Sequence, residues 1–225
     1  MSFWIANLGA LLAAYLLGSL SFAVIVSRVA GLADPRSYGS GNPGATNVLR
    51  SGSKPAALAT LALDALKGYV PVWAALAWGP ALGLTATTAC LMGLAAFLGH
   101  LWPVFFRFQG GKGVATAAGA LMAINPFLGL ATLLSFVIIL AFSRYVSLAS
   151  VVAAVFAPFY QLLIWGGGAP LLAIVPMALL LVWRHEPNIR RLLAGTESRV
   201  GQKAATGPAP SNPAHGHRAP KKGSH

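Results

Sequence analysis

The chain has 225 residues, 56% of them hydrophobic and only 9% charged, with a mean hydropathy of +0.70. A water-soluble domain carries roughly 25% charged residues, so this composition excludes an ordinary soluble globular protein and implies an integral membrane protein. The net charge of +12, from 16 Lys+Arg against 4 Asp+Glu, then reads first as positive-inside topology and not as a nucleic-acid surface.

Taken in order, the first apolar run covers 3–27. No Lys or Arg precedes it and Arg28 follows it, the pattern of an uncleaved signal-anchor with its N-terminus outside. Further apolar runs at 55–78, 81–101, 114–124, 126–142, 146–165 and 169–184 are expected to be helices, since a span needs about 20 mostly apolar residues. The expected fold is therefore an all-α polytopic membrane protein with about seven transmembrane helices, N-terminus outside and C-terminus cytoplasmic. The count drops to five if 114–124 and its neighbour form a re-entrant pair.

Charge placement follows the same plan. The connections assigned to the cytoplasm hold Arg28, Asp34, Arg36, Arg50, Lys54, Arg107, Lys112, Arg144 and everything from Arg184 on. Those assigned outside, near Gly79-Pro80, Asn125-Pro126 and Gly166-Gly167-Gly168, hold no charged residue. Short loops are where the positive-inside rule reads best. Within the spans only Asp64 and Lys67 are charged. At i and i+3 they share a helix face, either as a structural pair or as one wall of a site. Cys90 lies in an apolar run and has no second cysteine to pair with. Residues 1–200 form the membrane domain in this plan. The Pro-, Ala-, Gly- and cation-rich stretch 201–225 is expected to be a disordered cytoplasmic tail near anionic lipid. Its His215, His217 and His225 have no metal-ligand spacing.

Three polar clusters punctuate the cytoplasmic side. The first runs Gly39-Ser40-Gly41-Asn42-Pro43-Gly44-Ala45-Thr46-Asn47 to Arg50. It is a glycine-rich loop whose Ser40, Asn42, Gly44, Thr46 and Asn47 offer hydroxyls, amides and close backbone approach, and it ends in a guanidinium that binds phosphate as a planar fork. The second holds His100, an aromatic run from Trp102 to Phe108, and Gly110-Gly111-Lys112-Gly113 leading into a helix. Backbone N–H groups at a helix start, with Lys112 beside them, make a phosphate cradle. The spacing of a nucleotide P-loop is missing. The third cluster contains Arg184, His185, Asn188, Arg190, Arg191 and Glu197. Absences matter as well. Five residues beyond His100 and His185 stand Phe105 and Arg190, so there is no H-x-x-x-x-D dyad of soluble glycerolipid acyltransferases. There is no G-x-S-x-G elbow, and carboxylates and cysteines are too few for a metal centre. No metal or cofactor is expected.

Together the three clusters resemble the bacterial acyl-phosphate:glycerol-3-phosphate acyltransferase family, PlsY, over most of residues 1–200. The resemblance implies catalytic roles for Ser40, Arg50, Lys112, His185 and Asn188. It also implies phosphate binding by the Gly110, Gly111 and Gly113 loop and a supporting role for Glu197. From the residues themselves, Asn42, Gly44, Thr46, Asn47 and His100 are candidate substrate-binding groups, and Asp64 with Lys67 a candidate structural pair. The implied reaction moves a fatty acyl group from acyl phosphate to the 1-hydroxyl of glycerol 3-phosphate, giving lysophosphatidate and phosphate in the first step of phospholipid synthesis. The implied location is the bacterial inner membrane, with the site facing the cytoplasm. Membrane lipid is the expected surrounding and no nucleic acid the expected ligand; functional coupling to an acyl-phosphate-producing enzyme is a further expectation. The rival readings are a small transporter of an anionic metabolite and a membrane-anchored binding protein acting through its basic tail.

Overall fold

The computed structural model describes residues 3–201, and among them every regular element is a helix. The helices are α1 (Phe3–Gly18), α2 (Phe22–Val29), α3 (Ala45–Leu49), α4 (Lys54–Trp78), α5 (Ala86–Leu101), α6 (Val114–Ile124), α7 (Pro126–Ser143), α8 (Val146–Tyr160), α9 (Ala169–Arg184) and α10 (Glu186–Leu193). Their ends follow local chemistry. The Ser53 hydroxyl accepts from the Ala56 amide ahead of Pro55 at the start of α4. Thr85 does the same for Thr88 in α5, and the Asn125 side chain accepts from Phe127 and Leu128 in α7. Such caps satisfy amides that the first helical turn leaves without partners.

Three helical segments are long and apolar enough to cross a membrane: Ala86–Phe106, Pro126–Ser143 and Val146–Trp165. The number rises to five if each of two bent pairs, α1–α2 and α9–α10, counts as one span. The expected seven is therefore larger than length and composition support. Two physical reasons account for the difference. At 25 residues α4 has the length, but Asp64 and Lys67 sit in its middle and lower its apolarity. At 11 residues α6 rises only about 16 Å, roughly half a hydrocarbon core. The single run expected over 3–27 is instead two helices meeting at 43° around Ser19–Ser21.

Packing depends on small residues, as it does where lipid gives no hydrophobic drive between helices. A side chain on Gly68 would lie 2.1 Å from the Thr116 carbonyl oxygen, and one on Gly119 would lie 1.9 Å from that of Ala65. Only hydrogen there lets α4 and α6 approach to backbone contact. Val72, Phe97, Leu101, Leu128, Ile174 and Leu181 fill the interior shared by α4, α5, α7 and α9. Leu130, Leu134, Ile138 and Phe142 of α7 point outward, an apolar face that a soluble monomer would not present.

The tail from 202 on, with its histidines, lies outside the described residues.

Candidate active site

The first cluster folds around a buried amide. Asn47 Nδ2 donates to the carbonyls of Pro35 at 2.6 Å and Tyr38 at 3.1 Å, while its Oδ1 accepts from the Ser40 amide at 3.1 Å and lies 3.5 Å from Arg50 Nη1. Asn47 is 2% exposed, so its hydrogen-bonding capacity shapes the loop and is not turned toward a ligand. Gly39 has a positive φ of 59°, and a side chain on it would strike Asn47 Oδ1 at 2.3 Å. The turn closes on Asn47 only with glycine there. What this leaves at the surface is Ser40, Thr46 and Arg50, all exposed, with Asn42 and Gly44 half-buried. Beside them Arg36 forks onto Asp34, at 2.6 and 3.0 Å. The hydrogen bonds from Arg36 hold the Asp34 carboxyl below the usual range, so this acid is spent on its neighbour.

The second cluster packs hard against the end of α5. The Gly111 amide donates to the His100 carbonyl at 3.1 Å. A side chain on Gly110 would lie 2.1 Å from that same oxygen, and one on Gly111 would lie 2.3 Å from His100 Nε2 and 2.9 Å from the Pro43 carbonyl oxygen. Pro43 belongs to the first cluster, so the two loops touch. The Arg184 guanidinium donates to the Gly110 carbonyl at 2.9 Å and to Gly111 at 3.1 Å. The glycine loop is thus clamped from both sides, and the Gly111 amide is not available to an anion. The anion-binding capacity of this segment lies further on, where the first amides of α6 have no partners within their own helix and the positive end of its dipole emerges.

Lys112 stands at that helix start. Its Nζ donates to Asn188 Oδ1. Asn188 Nδ2 in turn donates to Glu197 Oε1 at 2.6 Å, and the same carboxylate accepts from Ser147 at 2.7 Å and from Arg191 at 2.7 Å. Burial raises the Glu197 pKa, but hydrogen bonds from Asn188, Ser147 and Arg191 outweigh it and hold the carboxyl below its ordinary range. Burial has the opposite effect on Lys112, whose pKa falls to about 8 with Glu197 resisting the shift. His185 is buried, and its Nδ1–H donates to the Leu181 carbonyl at 2.8 Å. A neutral ring in this tautomer carries its lone pair on Nε2.

The segment after α10 closes the site. Ser198 Oγ accepts from Arg50 Nη2 at 3.0 Å, and the Arg144 guanidinium donates to the Val200 carbonyl at 2.9 Å. Arg50 is thereby tied to the third cluster, Lys112 to Asn188, and Gly110–Gly111 to Arg184. All three polar clusters meet at one end of the bundle. Neither Arg184 nor Ser147 carried an assigned role in the sequence reading. The partners of Arg184 are backbone carbonyls, which leave no trace in composition, and Ser147 is one of several serines in an apolar helix. Among the described residues no group of three or more His, Cys, Asp or Glu could hold a metal ion.

Fold and site define a helical membrane protein with a cationic, hydrogen-bonded polar cluster at one end of its bundle. The family model for glycerol-3-phosphate acyltransferase matches residues 8–195. A glycerol-3-phosphate acyltransferase of Paraburkholderia phytofirmans is 60% identical over 197 residues, 88% of this chain and 92% of that protein. One from Cupriavidus necator is 60% identical over 198 residues, 88% and 98% of the two chains. The crystal structure of PlsY, an integral membrane glycerol 3-phosphate acyltransferase, in its glycerol 3-phosphate form superposes with a TM-score of 0.80 at 39% identity, covering 87% of this chain and 96% of that one. Its lysophosphatidic acid form gives 0.79 at 38% identity over 87% and 95% of the respective chains. The chain belongs to the glycerol-3-phosphate acyltransferase family.

Lys112 gives this site a pH limit. Below about 8 its amine is a cation, and above that it becomes neutral. Affinity for a phosphate ligand, read by calorimetry on the purified protein, should fall as pH rises through about 8. Lys112→Arg should lose that limb, because a guanidinium stays charged. An affinity flat across that range in the unsubstituted protein would show that the Lys112 charge does not bind the anion.

Proposed function

We propose that the chain transfers a fatty acyl group from acyl phosphate to the 1-hydroxyl of glycerol 3-phosphate, releasing lysophosphatidate and phosphate. The observation that carries this reading is the half-buried Lys112 at the start of α6, steered by Asn188, with the Arg50 guanidinium brought to the same end of the bundle. Both substrates carry phosphate, and a pair of fixed cations around helix-start amides suits two anions better than one. The acyl phosphate is a mixed anhydride, already activated, so no protein nucleophile is needed. The acceptor hydroxyl oxygen forms a bond to the acyl carbonyl carbon, and the bond from that carbon to the phosphate oxygen breaks. The proton passes to a phosphate oxygen or to His185 Nε2, and phosphate leaves. Alignment and charge stabilisation supply the acceleration.

In this scheme Lys112 and the α6 start take the glycerol 3-phosphate, and Arg50 neutralises the acyl-phosphate group. Ser40 orients the attacking hydroxyl, and His185 and Asn188 hold the reactants. Asn42, Gly44 and Thr46 line the same mouth. Glu197 acts through Asn188. The polar groups gather at helix ends and not at a midplane between repeated halves, which favours acyl transfer over transport. A reactive acyl phosphate also argues for an enzyme that makes it working close by.

Purified protein given palmitoyl phosphate and glycerol 3-phosphate should release phosphate, with palmitoyl-CoA inert as donor. Arg50→Ala should cut kcat/KM by about a thousandfold, the scale of removing one transition-state charge contact, while the protein stays folded. Release from palmitoyl-CoA at an equal rate, or full activity in Arg50→Ala, would contradict the scheme.

The topology that goes with this function has seven crossings, counting the charged α4 and the short α6, with the N-terminus outside and the site facing the cytoplasm of the inner membrane. Support comes from charge sorting: among the described residues, Gly79–Thr85, Asn125 and Gly166–Gly168 carry no charge. In a Cys90→Ser background, a cysteine placed at Gly167 should react with an impermeant maleimide added to intact spheroplasts, and one at Ser198 should not. The reverse pattern would invert the protein.

A further inference from the structure

A second polar system lies behind the glycine loop, buried among α4, α5 and α6. Asp64 and Lys67 of α4 form an ion pair at 2.8 Å, almost wholly out of solvent. The pair lacks a well-directed hydrogen bond at Asp64 Oδ1, which therefore has accepting capacity left. The polar group that faces it is His100 of α5, with Nδ1 at 3.6 Å from Asp64 Oδ1 and 3.2 Å from the Thr116 hydroxyl of α6. On its far side the His100 ring abuts Gly111, where a side chain would come within 2.3 Å of Nε2. Its carbonyl also accepts the Gly111 amide. In the other direction Lys67 donates at 2.7 Å to the Leu20 carbonyl in the break between α1 and α2, and lies 5.6 Å from the Phe22 ring centroid.

We propose that His100 is a positioning residue for the Gly110–Gly111 loop, oriented by the Asp64–Lys67 pair, and that this relay sets the affinity for the phosphate of the acceptor substrate. The proposal rests on the acyl-transfer reading above. Its physical logic is that the loop leading into the anion-binding start of α6 must not move when the anion arrives. Glycines supply close packing but no side chains to lock it. The imidazole supplies the lock from behind, and it is fixed in turn by groups on two other helices. An ion pair inside a bilayer is costly to keep. A pair needed only to glue α4 in place could be replaced by apolar residues without kinetic effect.

That contrast gives the test. His100→Phe keeps the volume and removes the polar contacts, His100→Asn returns an amide at the Nδ1 position, and Asp64→Asn/Lys67→Met removes both charges together. Each is compared with the unsubstituted enzyme for KM toward glycerol 3-phosphate and toward palmitoyl phosphate, with thermal unfolding in detergent as a control. His100→Phe and the double variant should raise KM for glycerol 3-phosphate about tenfold, the size of one lost buried polar contact. KM for palmitoyl phosphate should stay within about twofold, and His100→Asn should recover most of the loss. Equal changes in both KM values, unchanged KM values in folded variants, or loss of folding in all three would overturn the proposal and leave the relay purely structural. An unsubstituted protein inactive with palmitoyl phosphate would contradict the functional reading instead. Glycerol 3-phosphate binding by calorimetry would then judge the relay on the same scale.

Discussion

Lys112 sits half-buried where α6 begins, and much of the surrounding structure follows from keeping its charge there without cancelling it. A carboxylate in direct contact would hold the ammonium but would also compete with an incoming phosphate. The protein places a neutral amide at that position instead. Asn188 turns its oxygen to Lys112 because its nitrogen is held by Glu197, and Glu197 is anchored by Ser147 and Arg191. The carboxylate acts one residue removed. The other acids of the described chain are committed to their own cations, Asp34 to Arg36, Asp64 to Lys67 and Glu186 to Arg190. The site therefore keeps a positive field, strengthened by low-dielectric walls and by the α6 dipole.

The same constraint explains why the three clusters are joined by so many contacts to backbone. A cation cluster is self-repelling, and side-chain pairs alone would not hold it at one end of a bundle. Arg184 spends its guanidinium on the Gly110 and Gly111 carbonyls, Arg144 on Val200, and Arg50 leans on Ser198. Each positive group is thus placed by a neutral acceptor. The glycines contribute close approach more than free amides: Gly110, Gly111 and Gly113 lie against His100, Leu101 and Phe97, and side chains there would collide.

Much of this was legible in the sequence because charge is so scarce. With 4 acids among 225 residues, the positions of Arg50, Lys112, His185, Asn188 and Glu197 stood out, and their order along the chain carried the family resemblance. The all-helical membrane architecture followed from apolar runs. Other features left no such trace. Gly18, just before the bend between α1 and α2, packs against the Ala96 carbonyl, a long-range contact that no local pattern encodes. By length and composition alone three helical segments qualify as spans, or five with each bent pair as one, because α6 is short and α4 carries Asp64 and Lys67. Asn47 looked like a ligand-binding amide and is instead the post around which its loop is wound. The approach of Asp64 to His100 joins residues on two different helices, so no fixed spacing along the chain marks it.

The most direct test of the account is an experimental structure of the protein with glycerol 3-phosphate bound. The phosphate should lie against Lys112 Nζ and the first amides of α6, with Asn188 still held by Glu197 and Arg50 free to face the second anion. A phosphate bound elsewhere, with Lys112 still closed on Asn188 and no anion within hydrogen-bonding distance of the α6 start, would contradict it.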